Sequence, residues 1–143
     1  MSQPMKLLTL LLAATLLVST PTSAVGQADP SLLRASYCLG VTGHRIDSMK
    51  ELGRVFDVDV SDDLKRLTHE AGRLGRFVMA RVSGPSATQA HAALNQGQAD
   101  GAQLSIDIRA GCHDLEVCEP WLAANSAAYR ATQRCNEDNG MPY

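Results

Sequence analysis

The placement of the cysteines constrains the fold more than any other feature of the sequence. The 143-residue chain contains Cys38, Cys112, Cys118 and Cys135. A chain of this length is expected to form one domain, since domains typically contain about 100–150 residues. In a small exported protein, an even number of cysteines indicates structural disulfides. The fold must then allow the cysteines to meet in pairs.

The N-terminus has the layout of a secretory signal peptide. Lys6 precedes an uncharged run from Leu7 to Val18, and small residues then offer cleavage sites after Ala24 and Ala28. This three-part arrangement is typical of export signals, and the apolar run is shorter than the roughly 20 residues that span a bilayer. We predict a signal peptide at residues 1–24, or up to 28, and no transmembrane segment in the mature chain. The expected location is the periplasm, otherwise the extracellular space.

Capping residues and the spacing of apolar side chains predict four helices. Their predicted starts are Asp29-Pro30, Ser61, the capping box Ser86-Ala87-Thr88-Gln89, and Glu119-Pro120. Their predicted ends are the turn at 57–60, Ser83-Gly84-Pro85, Gly111 and Cys135. Within residues 102–109 the apolar residues Leu104, Ile106 and Ile108 also stand at alternate positions, a pattern that is typical of a strand. A short strand is therefore an alternative here, but we favour a helix because a lone strand lacks a pairing partner.

These helices predict an all-α fold, a small up-down-up-down four-helix bundle at residues 29–137 with a polar tail at 138–143. In that topology Cys38, near the start of the first helix, and Cys135, near the end of the fourth, share one end of the bundle. Cys112 and Cys118 flank the turn at the opposite end. Because bridged Cα atoms lie within about 7 Å, we predict the disulfides Cys38–Cys135 and Cys112–Cys118.

Catalytic and metal-binding patterns are absent from the sequence. It contains no phosphate-binding loop and no HExxH, CxxC or GxSxG motif. Cys112, His113 and Cys118 have the ligand types of a zinc site, but a fourth ligand is missing and export favours oxidation. Met49 and one histidine are the ligand types of a non-covalent haem, although a methionine at core spacing usually belongs to the core. We predict no enzyme activity, no metal site and no cofactor.

One side of the second predicted helix carries a cluster of basic residues. Its members are Arg66, His69, Arg73 and Arg76, which lie opposite the apolar residues of that helix. Such a stripe is usually a solvated face, and the functional alternative is contact with an acidic protein, a lipid headgroup or a phosphate. A net charge of −2 argues against a nucleic-acid partner.

The stretch Tyr37-Cys38-Leu39-Gly40-Val41 resembles the cysteine-bearing first helix of small exported helical proteins, including immunity proteins against type VI secretion effectors. The resemblance covers about one helix and implies no particular site residues. We predict a non-catalytic binding or structural module whose partner is another protein or an anionic surface. The alternatives are a periplasmic cofactor or metal carrier and an immunity or inhibitor protein, and the oligomeric state is left open.

Overall fold

The structure, a computed structural model, describes residues 26–137, and this range contains five α-helices. They are α1 (Pro30–Phe56), α2 (Ser61–Arg81), α3 (Gly84–Gly111), α4 (Leu115–Asn125) and α5 (Ala127–Glu137). The predicted all-helical class is confirmed, and residues 102–109 are helical. The signal peptide predicted at 1–24 and the tail predicted at 138–143 lie outside the described residues. None of the described helices combines the length and apolarity needed to span a bilayer.

The segment predicted as a fourth helix contains two helices. The backbone is extended at Ser126, with φ −110° and ψ 111°, between α4 and α5. The Ser126 hydroxyl accepts a hydrogen bond from the Tyr129 amide at 3.0 Å, as an N-cap of α5 does. The helical spacing in the sequence continues through this point, whereas the local hydrogen bond starts a new helix. The predicted count of four helices is therefore not confirmed.

The capping box of α3 lies three residues before its predicted position. Ser86 Oγ accepts a hydrogen bond from the Ser83 amide at 2.9 Å, so that α3 begins at Gly84. Gln89, which we expected to close the box, instead accepts a hydrogen bond from the Ala28 amide at 3.1 Å. This bond fixes the segment before α1 to α3.

Two other helices begin where an aspartate side chain accepts a hydrogen bond from the backbone amide two residues later. Asp114 accepts a hydrogen bond from the Glu116 amide at 3.0 Å, and α4 begins at Leu115, so Pro120 lies inside the helix and not at its start. Asp59 accepts a hydrogen bond from the Ser61 amide at 2.9 Å. Ser61 is thus the first residue of α2 and not its capping residue.

Helix α1 is central and packs against α2, α3 and α5. It runs parallel to α3, because hydrogen-bonded partners advance along both helices together. The Tyr37 hydroxyl donates to Asp100 at 2.7 Å, and His44 lies further along, 3.1 Å from Ser105. Helix α2 packs on α1 and makes few contacts with α3.

The four cysteines form the two predicted pairs. Cys38 and Cys135 join α1 to α5 with their Cα atoms 5.5 Å apart. Cys112 and Cys118 connect the end of α3 to α4 with their Cα atoms 4.4 Å apart. The longer link closes the bundle at the end where its core lies.

The core occupies only one end of the three long helices. In α1 the buried residues extend from Leu32 to Thr42, although the helix continues to Phe56. At the opposite end the side chains of Leu52, Phe56 and Ile108 are 43%, 68% and 41% exposed. The three helices are therefore tightly packed at one end and open at the other.

Candidate functional site

A cleft of about 670 Å³ opens between α1, α2 and α3 at the less packed part of the bundle. This volume lies within the range of small-molecule sites, about 300–1,000 Å³. It exists because α2 and α3 both pack on α1 but hardly contact each other. Its walls are mainly apolar and are formed by Val41, Met49, Leu52, Leu67, Leu104 and Ile108.

Polar side chains gather in one part of this cleft. His44 Nε2 lies 3.0 Å from Ser48 Oγ and 3.1 Å from Ser105 Oγ. Arg45 Nη1 donates a hydrogen bond to Asn136 Oδ1 at 2.9 Å. Along α1 and α3 these residues precede Leu52 and Ile108, which stand nearer the open end. The cleft is thus polar around His44 and apolar around Leu52 and Ile108.

The ionisable residues that line the cleft are two arginines and one histidine. They are Arg45, Arg66 and His44, and no acidic residue lines the cleft in the described part of the chain. Burial lowers the pKa of the Arg45 guanidinium, the charge of Glu70 raises it, and the charge of Arg66 lowers it further. An arginine in a protein nevertheless keeps its proton at neutral pH. The lining is therefore positively charged in a chain whose net charge is −2.

The structure divides the basic stripe of α2. Arg66 lines the cleft, where it forms an exposed 3.3 Å ion pair with Asp63. His69 and Arg76 lie on a shallow surface formed by α2 alone, and Arg73 is half-buried. The structure thus places Arg66 beside Arg45 in a concave site and leaves the other three outside it. Anion binding by the whole stripe stays a prediction.

Most of the polar part of the cleft, including His44, Arg45 and Ser105, was not predicted from the sequence. Each helix was assigned an apolar face, and such a face predicts a core without showing where along the helix the core ends. One signal was present, because the segment from Leu104 to Ile108 fitted a strand pattern as well as a helical one. Ile106 and Ile108 are in fact 53% and 41% exposed, so they do not face a core.

The serines around His44 do not reproduce a catalytic arrangement. Both hydroxyls approach the same imidazole nitrogen, and the Ser105 hydroxyl also donates to the Gly101 carbonyl oxygen at 3.3 Å. A serine nucleophile usually depends on a histidine that is itself oriented by a third group, often a carboxylate. Within residues 26–137 the hydrogen bonds of His44 include no carboxylate partner. His44, Ser48 and Ser105 thus present an imidazole and two hydroxyls to the cleft.

The ligand sets that the sequence offers for zinc or haem do not come together among the described residues. Cys112 and Cys118 are bonded to each other and so are not available to join His113 in a zinc site. Among residues 26–137 no three His, Cys, Asp or Glu side chains converge where a metal ion could be held. Met49 and His44 both line the cleft but stand on the same helix, so they do not face each other across a haem.

The chain matches no protein-family model, no curated protein and no solved structure with which it was compared. The function has to be inferred from the cleft itself.

Proposed function

We propose that this protein is an exported helical binding protein that holds an amphipathic ligand in the cleft between α1, α2 and α3 and catalyses no reaction. The observation that carries the proposal is a concave site at the less packed end of the bundle, with apolar walls and a group of polar side chains around His44. Sites for small molecules typically combine apolar walls with a few polar groups that orient the ligand.

The partly exposed apolar side chains of the cleft support this proposal. Leu52 and Ile108 line the cleft and are 43% and 41% exposed. Burying apolar surface contributes about 25 cal/mol per Å². A ligand that covers these side chains removes their apolar surface from water, and this burial stabilises the complex. Contiguous exposed apolar surface commonly marks an interaction site.

The proposed location is the periplasm. It is supported by the export-signal pattern at residues 1–24 and by the two cysteine pairs, which suit an oxidising compartment. In this proposal α5 takes the place of the fourth helix of an up-down-up-down bundle, since it packs on α3 and is joined to α1 through Cys135.

The experiment that tests the proposal is a titration of the oxidised protein with Nile red, a neutral apolar dye whose fluorescence rises in apolar sites. We expect saturable binding that Ile108→Glu weakens by tenfold or more, because the new carboxylate stands in the apolar part of the cleft. Met79→Glu is the matched control, since Met79 is 74% exposed and does not line the cleft. Equal binding by both variants, or no saturable binding to the wild type, would contradict the proposal.

A further inference from the structure

We propose that the ligand of the cleft is a single-chain amphiphile with a carboxylate head, as in a fatty acid. Arg45 and Arg66 bind the carboxylate, and the hydrocarbon chain runs past Leu52 and Ile108. This inference rests on the proposed function, because it names the class of ligand for the same cleft.

Charge complementarity is the first argument for an anionic head. The ionisable side chains lining the cleft are those of Arg45, Arg66 and His44, without an acidic residue in the described lining. The chain as a whole is acidic, with a net charge of −2. A cationic site attracts anions, whereas the remaining surface of an acidic protein does not. An anionic head group is therefore favoured at the cleft.

The guanidinium groups also suit a carboxylate by shape. A guanidinium presents a planar fork of N–H donors that matches the two oxygens of a carboxylate. Asn136 accepts a hydrogen bond from Nη1 of Arg45 at 2.9 Å, which restricts the orientation of that guanidinium. An oriented guanidinium loses less conformational freedom when it binds an anion.

The electrostatic environment of Arg45 agrees with a bound anion. Burial lowers the pKa of Arg45, the charge of Glu70 raises it, and the neighbouring charge of Arg66 lowers it. A half-buried cation next to a second cation is stabilised by an opposite charge, and screening by water is weaker there than on an open surface. The existing pair of Arg66 with Asp63 is exposed and readily exchanged, since such pairs contribute about 0–1 kcal/mol.

The gradient of polarity sets the direction of the ligand. His44, Ser48 and Ser105 offer polar groups in one part of the cleft, whereas Leu52 and Ile108 are apolar and lie further along α1 and α3. A carboxylate head placed beside His44 meets Arg45 and the hydroxyls of Ser48 and Ser105, with Arg66 lining the same cleft. The chain then covers Leu52 and Ile108, which are partly exposed.

The size of the cleft suits a small amphiphile. The cleft measures about 670 Å³, which lies within the range of sites for small molecules, about 300–1,000 Å³. A single hydrocarbon chain with a carboxylate head is a ligand of this size class.

The test compares decanoate with 1-decanol, which has the same chain and a neutral head. Each is titrated below its aggregation limit into delipidated, oxidised protein, and binding is measured by displacement of Nile red. We expect decanoate to bind about tenfold more tightly or better, as is typical of hydrogen bonds to a charged group. The double variant Arg45→Gln/Arg66→Gln should bind both compounds equally.

The control is the double variant Arg76→Gln/Arg130→Gln, which removes two exposed arginines outside the cleft and should keep the preference for decanoate. If 1-decanol binds the wild type as tightly as decanoate, the carboxylate inference is overturned and the proposed function stands. Tighter binding of decyl phosphate than of decanoate also overturns the choice of head group. If neither compound nor Nile red binds, both proposals fail, and a dimer that Ile108→Glu dissociates would then assign the cleft to a second copy of the chain.

Discussion

Gly40 and Gly97 bring the backbones of α1 and α3 into direct contact. A Cβ atom on Gly40 would overlap the carbonyl oxygen of Leu94 and lie 2.9 Å from the Gln98 amide nitrogen. A Cβ atom on Gly97 would overlap the carbonyl oxygen of Tyr37. Since the obstructing atoms belong to the backbone, no rearrangement of side chains can relieve the overlap. The two helices cross at a distance that requires glycine on both sides.

Replacing Gly97 with alanine should therefore lower the free energy of unfolding. Overpacking a well-packed site usually destabilises a protein by about 1–3 kcal/mol, and more where the backbone must move. This loss should outweigh the roughly 1 kcal/mol that alanine gains over glycine in helix propensity. Urea unfolding followed by circular dichroism measures the difference.

Gly75 in α2 provides the matched control. No atom lies within 4 Å of a Cβ placed there. Gly75→Ala should raise the free energy of unfolding by up to about 1 kcal/mol, because only helix propensity changes. If both variants are equally stable, the close contact between α1 and α3 does not exist in solution.

The two disulfides should contribute unequally to stability. Cys38 and Cys135 are separated by 97 residues, whereas Cys112 and Cys118 are separated by 6. In the chain-entropy description, closing the long loop stabilises by about 4–5 kcal/mol and closing the short one by about 2 kcal/mol. Replacing both Cys38 and Cys135 with alanine should thus lower the melting temperature more than replacing the other pair. Equal losses in calorimetry would show that the long loop adds nothing.

The parts of the fold that depend on local chemistry could be predicted from the sequence. Asp29 accepts a hydrogen bond from the Ser31 amide at 3.0 Å, as its position before a proline indicates. The cysteine pairing also followed, because the order of antiparallel helices fixes which ends meet. The break at Ser126 could not be predicted, since its hydroxyl also donates to Asp107 on another helix, 19 residues away.

The cleft could be predicted only in part. Arg66 emerged from the charge pattern of a single helix, which periodicity reveals. Arg66 lies near Arg45 only because α2 packs against α1. In the same way, His44 meets Ser105 only because α1 packs against α3. The helices are open at one end because the core ends part of the way along them. The spacing of apolar residues is the same in the packed and the open parts, so it does not indicate where the core ends. A site that arises from incomplete packing therefore cannot be predicted from periodicity.

The hydrogen bond between Ser126 and Asp107 should make part of the stability depend on pH. Hydrogen bonds from Ser126, and secondly from Gln103, hold the pKa of the Asp107 carboxyl below its ordinary value. A carboxyl whose pKa is lower in the folded state stabilises above its unfolded pKa, near 3.9, and loses that contribution as the pH falls through the folded value.

Ser126→Ala should therefore destabilise the protein more at pH 7 than at pH 2–3. At pH 7 the loss of the α5 cap alone is expected to amount to about 1 kcal/mol. Asp107→Asn serves as the control, because its amide does not titrate and its stability should lack this step in the acid range. Urea unfolding of all three proteins across pH 2–7 measures the effect, and a Ser126→Ala deficit that grows as the pH falls would refute it.

The predicted signal peptide should be cleaved after Ala24 and not after Ala28. Ala28 is 6% exposed, packs with the core and donates its amide to Gln89 at 3.1 Å. Cleavage after Ala28 would remove these contacts, about 1 kcal/mol for the hydrogen bond, and place a charged amino group at the positive N-terminal end of the α1 dipole. The intact mass of the exported protein should correspond to a chain that starts at Val25. A chain that starts at Asp29 and melts at the same temperature as one starting at Val25 would show that the contacts of Ala28 are dispensable.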